Sequence, residues 1–143
     1  VYDALAYTFV GSPIPENNAA WQSLAGDLKS SRSVYFRLNS ILMNSNPELH
    51  QFFTDLKNYT DYDSVSRVII RGYSDSTGPE YYNQLLSLKR AEDVSGYLKR
   101  NYNFDQSKFD VKGMGEANPI GDNTTEAGRA KNRRVNVYLK ANP

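Results

Sequence analysis

The chain has no cysteine, and only one histidine and one tryptophan among its 143 residues. The first absence excludes disulfides and thiolate chemistry, so the fold has to rest on packing. It says nothing about compartment. The lone His50 has no ligand set around it and reads as a surface or hydrogen-bonded helix residue. No metal and no cofactor is expected. No apolar run approaches the length of a membrane span. Neither charge sign dominates: 17 basic residues face 16 acidic ones, for a net charge of +1. That balance argues against a nucleic-acid partner held by phosphate neutralisation. An initiator methionine and a signal peptide are also missing, and the chain opens at Val1, which reads as a processed or trimmed piece of something longer.

What is abundant is tyrosine, eleven residues in all. Its apolar ring and polar tip suit half-buried faces and recognition surfaces. The length fits one domain of ordinary size. Ala4–Val10 is a short apolar run stopped by Gly11, and Pro13 and Pro15 then prevent a regular helix. Trp21, Leu24 and Leu28 mark a short helix over 19–29. Ser33–Asn39 alternates as a strand. Pro47 opens a helix that Asn46 can cap, with Leu49, Phe52, Phe53, Leu56 and Tyr59 as its apolar stripe.

Ser66–Gly72 is the next strand, with apolar residues on both faces. The longest helix runs from Glu80 to about Arg100, its repeat carried by Leu85, Leu88, Ala91, Val94 and Leu98. Gly96 inside it is an exception that close packing would explain. A turn over Asn101–Asp105 leads to a strand over Lys108–Gly115. Thr124 or Thr125 caps a short helix with Glu126 in its first turn, and Arg134–Leu139 is the last strand. The expected fold is α/β: a two-layer α+β sandwich in which helices cover a mixed four-stranded sheet.

Catalytic signatures are lacking. His50 has no triad partner, Gly72-Tyr73-Ser74 builds no nucleophile elbow, and Gly113-Met114-Gly115 lacks the remaining spacing of a nucleotide loop. Asp75 with Asp110 or Glu116 has no spacing that specifies a glycosidase pair. Binding is better supported, because Arg90 offers a planar fork to a carboxylate and Asp75 an acceptor to an ammonium or to backbone amides. Asn83 lies roughly two helical turns before Arg90 and adds a donor or acceptor. Spacing alone leaves two roles open for Asp75 and Arg90: a salt bridge, or a clamp for a small zwitterion. The basic run Gly128–Arg134 likewise reads as a nucleic-acid surface, as a brace for the last strand, or as a site or glycan contact.

Four segments together carry a resemblance. They are Gly72-Tyr73-Ser74-Asp75-Ser76-Thr77-Gly78; Asn83–Ala91; Gly113-Met114-Gly115-Glu116 with Asn118-Pro119-Ile120; and Asn123–Val135. In order and spacing they resemble the C-terminal peptidoglycan-binding domain of the outer-membrane protein A family, shared with peptidoglycan-associated lipoprotein and flagellar motor stators. The resemblance covers about residues 33–140. It implies noncovalent recognition of peptidoglycan through the diaminopimelate of its stem peptide, without turnover, in the periplasm beside the outer membrane. By position it makes Asp75 and Arg90 the principal ligand residues, Asn83 and Leu88 supporting walls, Asn39 a backbone donor, and Arg133 or Arg134 a neighbour of the glycopeptide. Phe36-Arg37-Leu38-Asn39 departs from the pattern by lacking acidic residues after Phe36. Residues 33–143 would then form the binding domain, and 1–32 an extension or the end of an upstream domain where a protein partner can bind. The alternative is a structural or protein-interaction module that keeps the fold without wall binding.

Overall fold

The computed structural model describes residues 32–35 and 47–140. Its elements are β1 (Arg32–Tyr35), α1 (Pro47–Tyr62), β2 (Arg67–Gly72), α2 (Glu80–Tyr102), a 3-10 turn (Gln106–Lys108), β3 (Phe109–Gly113), α3 (Glu126–Asn132) and β4 (Arg134–Lys140). The sheet order is β1-β4-β2-β3. β2 and β3 run parallel, joined by the α2 crossover, whereas β4 is antiparallel to both of its neighbours. This is the expected α+β arrangement with a mixed sheet.

Register explains the core. Val68 pairs with Leu139 and Ile70 with Val137, so four apolar side chains share one sheet face. They pack with Leu49, Phe52, Phe53, Leu56 and Tyr59 of α1 and with Ala91, Val94 and Leu98 of α2. The α1 stripe is the one its periodicity predicts. Ile69 is also buried, on the opposite face of β2. His50, exposed on α1, shares a 2.6 Å hydrogen bond with the Tyr102 hydroxyl and ties the two helices together.

The first half of α2 departs from expectation. Leu85 is 60% exposed, and the buried positions are Asn83, Ser87 and Arg90. The reason lies in the sheet. Gly72 and Gly113 sit side by side in register and form a floor with no side chains. A Cβ on Gly72 would collide with the Ser87 carbonyl oxygen, and one on Gly113 would lie 2.5 Å from the Leu88 backbone nitrogen. The helix backbone thus rests on the sheet there, leaving room for Ser87 but not for a leucine.

Gly96 has no such role. A Cβ there meets only the tip of the Arg100 side chain, at 3.0 Å, so the close packing expected at that position is not what retains it. The helix also runs past Asn101, to Tyr102, because Asn103 adopts the left-handed conformation (φ 58°) that closes it. β3 is shorter than expected because Lys108 belongs to the 3-10 turn and the chain leaves the strand at Gly113. β1 is observed over Arg32–Tyr35; Phe36–Asn39, the helix expected over 19–29 and the Asn46 cap lie outside the described residues.

The two glycine classes separate experimentally. In urea unfolding, Gly96→Ala should raise stability by about 0.5–1 kcal/mol. Gly72→Ala should lower it by about 1–3 kcal/mol through overpacking.

Candidate functional site

The loop after β2 is built as a continuation of the sheet. Tyr73 N–H donates to the Arg134 carbonyl, Ser74 N–H to the Gly115 carbonyl, and Met114 N–H to the Gly72 carbonyl, each at 2.8 Å. Gly115 N–H in turn donates to Ser87 Oγ at 2.8 Å, which locks this corner to α2. Asp75 comes next and is buried. Its Oδ1 accepts from the Thr77 N–H at 2.8 Å, an Asx-type turn, and its Oδ2 accepts from Arg133 Nη1 at 2.9 Å.

Arg133 is therefore the ion-pair partner that the structure gives Asp75, across 58 residues of sequence. Both side chains are nearly enclosed, at 6% and 3% exposure. The other arm of Arg133 donates to Glu126 Oε1 at 2.6 Å. Burial works against the Arg133 charge, but hydrogen bonds with Glu126 and Asp75 outweigh it and hold its pKa above the ordinary value. Arg133 also holds Glu126 below its ordinary 4.5. α3 presents Glu126 because Thr125 caps it, accepting from Gly128 N–H at 3.0 Å.

Arg90 approaches the same loop from α2. It is 0% exposed and donates from Nη1 to the Tyr73 carbonyl at 3.3 Å. Burial pulls its pKa down to about 10, Asp75 opposes that drop, and Arg133 adds to it. Asn83 donates to Glu116 Oε2 at 2.9 Å and, more weakly, to the Gly78 carbonyl at 3.5 Å, joining the far end of the loop to the β3 exit.

Asp75, Arg90, Arg133 and Asn83 are thus brought together around residues 73–79. Leu88 is not, because it sits over Gly113 on the β3 side of α2. The row that contains Arg90 at i, i−4 and i−8 holds Leu86, half-buried, and Tyr82. That spacing was the available signal for Leu86. Arg134 braces the loop from below, its guanidinium carbon 3.8 Å from the Tyr73 ring centre and its Nη2 on the Asn118 carbonyl at 3.1 Å. Asn39 lies outside the described residues. Glu126 was legible only as a favourable helix-start charge, not as a partner of Arg133. Asp110 is engaged by Arg71 at 3.1 Å, away from Asp75. Among the described residues no group of three His, Asp or Glu side chains is placed to hold a metal. An open groove of about 350 Å³ lined by Gly96, Lys99, Arg100, Gln106 and Phe109 lies toward the other end of α2.

A family model described as the OmpA family matches residues 35–133. The chain belongs to the OmpA family. Outer membrane protein Omp38 of Acinetobacter baumannii is 38% identical over 116 residues, covering 80% of the chain and 32% of Omp38. Outer membrane porin F of Pseudomonas fluorescens is 40% identical over 92 residues, 62% of the chain and 28% of the porin. The chain thus spans about a third of the length of these OmpA-family relatives. Among solved structures, the peptidoglycan-associated lipoprotein of Burkholderia pseudomallei superposes with a TM-score of 0.67 at 26% identity, covering 76% of this chain and 90% of the lipoprotein. Its name, like those of the relatives above, denotes an envelope protein.

Two outcomes follow from the charge set. Arg133→Ala strands a buried Asp75 and should cost about 3–5 kcal/mol in urea unfolding. Glu126 has a depressed pKa, so its contribution is complete above 4.5 and is lost as pH falls through its folded value. The stability gap between the wild type and Glu126→Gln should therefore be present at neutral pH and close in acid.

Proposed function

We propose that the chain binds peptidoglycan noncovalently through the diaminopimelate of the stem peptide, and so tethers an outer-membrane-associated protein to the cell wall in the periplasm. The observation that carries this reading is the fully buried Arg90 guanidinium at the Asp75 loop. Its pKa falls to about 10 although Asp75 is close. A ligand carboxylate arriving there would offset the lost solvation and form a charge-assisted, bidentate pair. Diaminopimelate supplies such a group: it is lysine with one further carboxylate beside the terminal ammonium.

In this reading Arg90 takes that carboxylate. Asp75 retains acceptor capacity beyond its two bonds, and it meets the ammonium or fixes the nearby loop backbone. Leu86 and Asn83 line the approach, Asn39 contributes a backbone donor, Arg133 positions Asp75, and Arg134 supports Tyr73. Leu88 seats the helix. Residues 33–143 form the binding domain, joined by Arg32, which opens β1. The role is retention, with no bond made or broken.

One observation favours a second reading, a structural or protein-interaction module. Asp75 is already held by Arg133 and Thr77, as a purely structural residue would be.

Calorimetric titration separates the two. A stem peptide carrying diaminopimelate should bind, and the same peptide with lysine in its place should lose roughly tenfold or more in affinity. Arg90→Lys should weaken binding of the diaminopimelate peptide and hardly change that of the lysine peptide. Absence of heat with either peptide, together with no retention on isolated sacculi, would favour the structural module.

A further inference from the structure

Tyr81, Tyr82 and Leu85 stand out on the first two turns of α2, at 74%, 41% and 60% exposure. Helical spacing makes them one patch, since Leu85 lies four residues beyond Tyr81 and three beyond Tyr82. Tyr82 also lies in the row of Leu86 and Arg90. The patch therefore begins at the rim of the site and crosses the outer face of the helix. Scattered exposed apolar side chains are normal on any surface; a contiguous set at the edge of a site is a recognition feature.

The chemistry of the patch narrows its occupant. Tyrosine offers a rigid flat face with a hydroxyl tip, which costs little conformational entropy to bind. A pyranose ring has the matching character: C–H bonds on its faces and hydroxyls at its edges. We infer that Tyr81, Tyr82 and Leu85 form a carbohydrate platform for the glycan of the same polymer whose stem peptide enters at Asp75 and Arg90. This rests on the peptidoglycan reading above. Reach supports it. Diaminopimelate is the third residue of the stem, and three extended residues span about 10 Å to the sugar. The eight residues from Tyr82 to Arg90 rise about 12 Å along the helix, so the first sugar comes level with Tyr82 at the near edge of the patch, and the second sugar of a disaccharide continues across the helix toward Leu85 and Tyr81.

The test is titration of the full chain with two probes: a disaccharide-linked stem peptide carrying diaminopimelate, and the same peptide freed of sugar. The wild type should hold the disaccharide form roughly five- to tenfold more tightly. Tyr81→Ala should abolish that margin and leave the bare peptide unaffected, while Tyr81→Trp keeps it. Tyr81 is mostly exposed, so the change spares the core. Equal wild-type affinity for both probes, or an equal loss on both in Tyr81→Ala, would overturn the platform and leave the peptide site standing. Concentration-dependent self-association removed by Tyr81→Ala would assign the patch to a second copy instead. Binding of neither probe would bring down the peptidoglycan reading and the platform with it.

Discussion

The arrangement depends on one close approach. Gly72 and Gly113 lie in register at the ends of the parallel strands, and α2 rests its backbone on them at Ser87 and Leu88. No side chain larger than hydrogen fits at either position. Because the helix is this close, Ser87 reaches Gly115, Asn83 reaches Glu116, and Arg90 reaches the Tyr73 carbonyl. The same contact forbids large apolar residues on the inner face of the first turns. The polar lining of the site and the shape of the helix seat are thus one constraint.

Around that seat the protein holds an unusual amount of buried charge. Asp75 and Arg133 form an enclosed pair, Glu126 takes the remaining arm of Arg133, and Arg90 lies alongside. Such a set adds little net stability compared with an apolar core, but removing one member is costly. What it supplies is position. Thr77 and the Asp75 carboxylate fix the loop, Arg134 supports Tyr73 from below, and the loop has few ways to move. A preorganised loop reduces the ordering cost of binding a small, highly charged ligand.

Much of this was legible in the sequence where periodicity meets a single packing surface. The α1 stripe, the alternation of β2 and β4, and a threonine cap at 124 or 125 all follow from local rules; the structure selects Thr125. Leu85 shows the limit. A 3.6-residue repeat admits neighbouring stripes on one helix, and hydrophobicity alone selected the one through Leu85 and Leu88. The glycine floor selected the other, through Asn83, Ser87 and Arg90, and no window on α2 contains those glycines. The Asp75 partner has the same cause. Arg90 was the nearer of the two arginines in sequence, whereas Arg133, the residue just before β4, arrives only once that strand has paired beside β2.

In the proposed reading the loop of Asp75 and the row of Arg90 receive the stem peptide. NMR titration with a diaminopimelate-containing stem peptide tests it most directly, with the Arg90 guanidinium and the backbone amides as probes. Saturable shifts should concentrate on the Arg90 Nε–H, the amides of residues 75–78 and Leu86, and leave the Lys99–Arg100 end of α2 unchanged. Shifts confined to the groove around Gly96 and Phe109, or none at saturating peptide, would contradict it.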